Sequence, residues 1–157
     1  MDTKRCCVAL VGFGTVGTGV AKLLLQEGQK LREKTGIEVV LKHICDVDIT
    51  TDRGISVPPG VLTTSLDTVL ADPEVEVVIE RVGGTTVAKE ITLKALQAGK
   101  SVVTANKALL AEAGRELFRA ARQAGVAIAF EASVGGGIPI ISSLRDGLIA
   151  NEITSIM

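Results

Sequence analysis

Residues 6–17 read Cys-Cys-Val-Ala-Leu-Val-Gly-Phe-Gly-Thr-Val-Gly. The first six form a continuous apolar run closed by Gly12, and such a short run fits a strand buried on both faces. Beyond it the period becomes helical: Val16, Val20, Leu23, Leu24 and Leu31 share one stripe, Gln26, Lys30, Arg32 and Lys34 lie off it, and Gly36 is placed as a C-terminal stop. Gly12, Gly14 and Gly17 therefore form G-x-G-x-x-G between a strand and a helix. In that context the first glycine permits a tight turn, the second lets the backbone approach a diphosphate, and the third lets the helix pack closely on the strand. With Phe13, Thr15 and Val16 they make a candidate dinucleotide-binding turn, whose helix-start amides donate to phosphate. A turn that is only structural is the alternative.

Further along, Ile37–Cys45 reads as a second strand, and Pro58-Pro59-Gly60 breaks the polar stretch after it. Ser65 is placed to cap a short helix ending at Ala71. Val75–Ile79 is a third strand. Gly83-Gly84-Thr-Thr leads into a helix with Val87, Ile91, Ala95 and Ala98 on its inner face and Gly99 as its stop. Ser101–Thr104 is a fourth strand. The next helix, Ala108–Ala124, turns Leu110, Ala113, Leu117, Ala121 and Ala124 inward, and Gly125 stops it. Val126–Phe130 is a fifth strand, Pro139 fits the first turn of a last helix to Ile149, and Glu152–Ile156 reads as a sixth strand. Alternating strands and helices with short glycine turns predict a Rossmann-type α/β fold: a doubly wound parallel sheet of about six strands with helices on both faces. No linker or repeat divides residues 1–157, so one domain is expected.

Composition narrows the function. Of 157 residues 46% are hydrophobic and 22% charged, enough apolar content to fold. Seventeen Lys and Arg against 18 Asp and Glu leave a net charge of −1, so no basic field draws nucleic acid or an anionic membrane. Phe13, Phe118 and Phe130 are the only aromatic residues, too few for base-stacking platforms. Three cysteines, Cys6, Cys7 and Cys45, lack C-x-x-C spacing and fit a reducing cytoplasm. The apolar run at the N-terminus breaks at Gly12 with no cleavage site after it, and no stretch approaches the roughly 20 apolar residues of a membrane span.

Three further places carry chemistry. Asp46, at the end of the second strand, is positioned for a ribose diol, 29 residues beyond Gly17 because the first helix is long. A carboxylate there favours NAD over NADP by repelling a 2′-phosphate, with Lys42, His43 or Arg53 available to offset it; a solvated loop residue is the other reading. His43, the only histidine, reads as a strand residue. Lys107 opens a helix after Thr104-Ala-Asn, where the helix dipole disfavours a cation unless an anion or carbonyl compensates. It contacts coenzyme phosphate or substrate, or it is a solvated first-turn lysine. Gly135-Gly136-Gly137 reads as an anion site before a helix, although Glu131 beside it repels an anion.

The motifs Ile79-Glu-Arg-Val-Gly-Gly-Thr85, Val103-Thr-Ala-Asn-Lys-Ala-Leu-Leu110 and Phe130-Glu-Ala-Ser-Val-Gly-Gly-Gly-Ile-Pro-Ile-Ile141 follow the glycine fingerprint in this order, and over nearly the whole chain the sequence resembles homoserine dehydrogenase. That resemblance implies the reversible reduction of aspartate 4-semialdehyde to homoserine with NADH or NADPH, in the branch leading to threonine and methionine. It implies a coenzyme or catalytic contact for Lys107, coenzyme contacts at Gly83 and Gly84, and a sodium ion held by Glu131, Val134, Gly136 and Ile138, mostly through carbonyls. Arg81 stands where the family usually has an uncharged residue, and Val87 where proline is frequent; Arg81 either reaches a phosphate or is a solvated surface charge.

The family continues past Met157 with a substrate-binding and dimerising domain. The expectation is therefore a coenzyme-binding domain that binds NAD(P) without turnover by itself and forms a homodimer when full length, with an exposed strand edge near residues 152–156. The alternatives are a non-catalytic dinucleotide sensor or assembly module, and a domain of another Rossmann semialdehyde dehydrogenase.

Overall fold

A computed structural model describes residues 4–155. The elements are β1 (Lys4–Val11), α1 (Thr15–Gln26), α2 (Gly28–Thr35), β2 (Ile37–Cys45), β3 (Leu62–Thr63), α3 (Leu66–Ala71), β4 (Val75–Glu80), α4 (Thr86–Gln97), β5 (Ser101–Thr104), α5 (Lys107–Ala124), β6 (Ile128–Ala129) and a short α6 (Ile140–Ser142). The six strands pair in parallel in the order β3-β2-β1-β4-β5-β6. The expected Rossmann-type sheet is therefore present, with β1 at its centre.

The alternation of β1 explains the two-sided core. Val8 and Leu10 join Phe13, Ala21, Leu41 and Ile44 beneath α1. Ala9 and Val11 face the other way, into a larger cluster built with Val78, Val102 and the inner sides of α3, α4 and α5. All-parallel sheets need both faces covered, and that is the physical reason for the unbroken apolar run.

Several local expectations are corrected. The first helix breaks at Glu27, where low-propensity Gly28 starts α2; Gly36 closes α2 in a left-handed conformation as expected. The inner face of α4 is Ala88, Ile91, Thr92, Ala95 and Leu96, whereas Val87 and Ala98 are exposed. On α5, Leu109 replaces Leu110 as the buried residue and Ala124 is exposed. The fifth expected strand shortens to Ile128–Ala129, and the last helix does not reach Ile149: Pro139 precedes α6, which widens into a π turn over Ser143–Gly147.

The sixth strand of the sheet is Leu62–Thr63, not Glu152–Ile156. Residues 152–155 have no strand structure, so the strand edge expected there is absent, and Ile156 lies outside the described residues. Among the described residues no helix is long and apolar enough to cross a membrane. Cys6, Cys7 and Cys45 are free thiols.

Candidate functional site

Three strand ends pin the glycine turn. The Gly12 amide donates to the Cys45 carbonyl at the end of β2 (2.8 Å), and the Arg81 amide, just past β4, donates to the Val11 carbonyl (2.8 Å). Gly12 has φ 99°, and a Cβ on it would lie 2.6 Å from the Arg81 carbonyl carbon and oxygen. At Gly17 a Cβ would lie 2.0 Å from the Gly12 carbonyl oxygen, so no side chain fits without moving α1 off the turn. The first and third positions of the motif are thus glycine for steric reasons visible in the backbone.

Helix α1 begins at Gly14 with no side-chain cap and no acidic residue in its first turn. By contrast, Ser65 caps α3 by accepting from the Thr68 amide, and Asn106 caps α5 by accepting from the Leu109 amide. The opening amides of α1 are left for an outside acceptor, and with the positive end of the helix dipole they favour an anion.

Asp46, directly after β2, leans back over this turn. One carboxylate oxygen accepts from the Phe13 amide (2.5 Å) and the other from the Asp48 amide (2.9 Å). The two bonds fix the carboxylate beside the buried Phe13 at the place where a ribose would arrive. Beside it, the Cys45 thiol is pushed up by burial and then by the Asp46 charge. The groups expected to offset Asp46 mostly point elsewhere. Lys42 pairs with Asp72 (3.3 Å) and with Glu74, and His43 Nε2 is 2.8 Å from Asp72 Oδ2, so His43 is a structural strand residue. Arg53 alone comes near: its guanidinium lies 5.9 Å above the Phe13 ring and pairs with Asp48 (3.1 Å).

The other wall is held by a group the sequence reading passed over. Glu80, the last residue of β4, is fully buried. Its Oε1 accepts from the Val82 amide (2.6 Å) and its Oε2 from the Thr104 hydroxyl (2.6 Å). Thr104 Oγ1 accepts in turn from the Asn106 amide (3.0 Å), and Asn106 Nδ2 donates to the Gly84 carbonyl (2.7 Å). This chain ties Gly83-Gly84 to the start of α5 and so sets the position of exposed Lys107. A charged residue closing the apolar stretch Val77–Ile79 is the signal that could have found it.

Two hollows result. One, of about 460 Å³, is lined by the turn from Gly14 to Gly17, by Arg81–Gly84 and by Ala105–Ala108, which includes Lys107. Its neighbour, of about 380 Å³, runs from Gly12 and Asp46 past Val47 and Leu66 to Val82 and Ile91. The first suits a diphosphate and the second an adenosine. A larger groove of about 830 Å³ lies on the far side of β2, lined by Leu24, Leu25, Val39 and Pro58 and remote from the glycine turn.

None of Glu131, Val134, Gly136 and Ile138 lines the two hollows. They share one loop after β6, where both Glu131 oxygens accept α6 amides, from Ile141 and Ser142 (2.9 Å each), and the Ile138 carbonyl accepts from Ile140 (2.8 Å). Glu131 therefore acts as the cap of α6. Among the described residues no three His, Cys, Asp or Glu side chains converge to hold a metal ion.

A parallel sheet in this strand order, with an uncapped glycine turn over β1 and an acid at the end of β2, defines a dinucleotide-binding domain of the Rossmann class. Comparison with known proteins is more specific. Residues 12–131 match the family model described as homoserine dehydrogenase, NAD binding domain, and the chain belongs to that family. It is 44% identical to the homoserine dehydrogenase of Bacillus subtilis over 98% of this chain and 36% of that protein. The crystal structure of the Thiobacillus denitrificans homoserine dehydrogenase superposes with a TM-score of 0.83 at 40% identity, covering 94% of this chain and 34% of that one. A hyperthermophilic archaeal homoserine dehydrogenase in complex with NADPH superposes with a TM-score of 0.72 at 26% identity, over 93% of this chain and 50% of that one. The chain spans about a third of the length of its curated relatives.

Proposed function

We propose that this chain is the coenzyme-binding part of an NAD(P)-dependent oxidoreductase that interconverts L-homoserine and L-aspartate 4-semialdehyde in threonine and methionine biosynthesis. The observation that carries the reading is the uncapped turn Gly12–Gly17 facing Lys107 across one hollow, within a family of homoserine dehydrogenase NAD-binding domains. The coenzyme, when bound, gives or takes the hydride. Gly12, Phe13, Gly14, Thr15, Val16 and Gly17 hold its diphosphate, Asp46 orients the adenosine ribose and favours NAD, and Gly83 and Gly84 flank the nicotinamide half. Lys107 contacts coenzyme or substrate at the open side of the hollow. Glu131, Val134, Gly136 and Ile138 hold a sodium ion that steadies the loop entering α6.

The whole protein works in the cytoplasm as a homodimer on a small-molecule substrate, without nucleic acid or membrane. Hydride transfer requires the aldehyde to be held against the nicotinamide with its oxygen polarised, and apart from Lys107 these residues supply the coenzyme side. Calorimetric titration of the chain with NADH and NADPH, in sodium chloride and in choline chloride, tests the reading. Expected are saturable binding at one site, tighter binding in sodium, and homoserine-dependent reduction of NAD at background. Absence of binding to either coenzyme overturns it.

A further inference from the structure

Arg81 has no carboxylate partner among the described residues, and its Nε is buried without a hydrogen-bond acceptor. Buried N–H groups are almost always satisfied, so this orphan leaves the guanidinium with no acceptor from the chain to compete with a ligand. Arg53 also has an unpaired buried Nε, but Asp48 matches its charge. The position of Arg81 is not free to drift: its amide is bonded to Val11 and its carbonyl packs on Gly12, so the residue sits directly over the glycine turn. It lines both hollows, at the junction between them.

The charges around that junction are uneven. The hollow at the turn is lined by two cations, Arg81 and Lys107, and by no acidic residue. The adjoining hollow holds Asp46. A doubly anionic group is therefore favoured on the turn side and disfavoured beside Asp46.

We propose that Arg81 is a phosphate ligand and affinity-determining residue of the coenzyme cleft, its guanidinium donating to the diphosphate bridge of the dinucleotide opposite the amides of α1. The proposal rests on the reading of the cleft as a dinucleotide site and adds to it a charged contact at the junction of the two hollows. Guanidinium-to-phosphate bonds are charge-assisted and planar, so lysine is only a partial substitute and methionine, which keeps the aliphatic stem, is none.

Binding of NADH, NADPH and adenosine is measured on the wild-type chain and on Arg81→Met and Arg81→Lys, with the melting temperature of each. Arg81→Met is expected to lose about tenfold or more in affinity for NADH and NADPH alike, far more than any loss for adenosine, and to show a shallower salt dependence, with Arg81→Lys intermediate. The melting temperature stays within about 2 °C, because the side chain has no internal partner to lose. A loss confined to NADPH assigns the contact to a 2′-phosphate and overturns the diphosphate assignment. Equal affinities in all three proteins overturn the proposal while leaving the dinucleotide site standing. Failure of the wild type to bind either coenzyme removes the site itself.

Discussion

Thr104→Val removes one hydroxyl from the Glu80–Thr104–Asn106 chain and puts a methyl group of similar volume in its place. The buried Glu80 Oε2 loses its 2.6 Å donor and the Asn106 amide its 3.0 Å acceptor. A hydrogen bond to a charged group contributes about 1.5–3 kcal/mol and a neutral one about 0.5–1.5, so a loss of roughly 2–4 kcal/mol is expected. With a urea slope of about 2 kcal/mol/M the unfolding midpoint falls by roughly 1–2 M. Glu80→Gln is milder: the side-chain carbonyl still accepts from Val82, while the new amide faces the Thr104 oxygen and strands the hydroxyl proton. The two changes remove one shared contact, so the double variant should be less destabilised than the sum of the singles by about 1 kcal/mol or more. Because the same chain positions Gly84 and the start of α5, NADH affinity should fall in both singles at temperatures where they remain folded. A midpoint shift equivalent to under about 0.5 kcal/mol for Thr104→Val, or strict additivity, refutes the idea that this network holds the cleft wall.

Gly17→Ala forces α1 away from a carbonyl that would lie 2.0 Å from the new methyl, so coenzyme binding should drop below detection by calorimetry even where circular dichroism still reports a folded chain. Asp46→Ala should weaken NAD more than NADP, by about tenfold against NAD, and equal losses would remove the ribose contact. Asp72 is held below the ordinary carboxylate range, first by its hydrogen bond with His43 and then by Lys42, and Asp48 is lowered by hydrogen bonds from Thr51 and Thr50. The folded state binds these protons less tightly than the unfolded one, so the stabilisation is present above about pH 4 and lost as pH falls below it. Urea midpoints between pH 2 and 7 should show this decline, and Asp72→Asn should flatten it. Ile138 and Ile149 are 65% and 81% exposed. Replacing both by serine should leave stability within about 0.5 kcal/mol while reducing concentration-dependent light scattering.

The order of strands was readable because each main element carried its own punctuation: a glycine after β1, Gly36 after α2, Asp-Pro before β4, Gly125 after α5. What escaped the sequence lacked a local signal. Leu62–Thr63 is too short to show a period and becomes a strand only by pairing with Ile44 and Cys45. Glu152–Ile156 shows a strand-like alternation, yet its described residues find no partner. The inner face of α4 is rotated from Val87 and Ala98 to Ala88, Thr92 and Leu96 because packing against α5 and β5 selects it, not hydropathy alone. In the site, the glycine turn, Asp46 and Lys107 were legible as motif and position. Glu80 was not, since its meaning depends on Thr104; Arg81 was legible only as a charge for phosphate or solvent, since its place between the two hollows exists only in the closed sheet.

The central place of β1 has a consequence for biosynthesis. The strand β1 pairs with Ile37–Cys45 on one side, but its other edge is completed only by Val75–Glu80. At translation speeds of about 5–20 residues per second, the ribosome needs roughly 2–7 seconds to go from Cys45, the end of β2, to Glu80, the end of β4. For that interval the nascent polypeptide carries a sticky, half-matched ribbon, which makes this segment the natural first client for a chaperone at the exit tunnel.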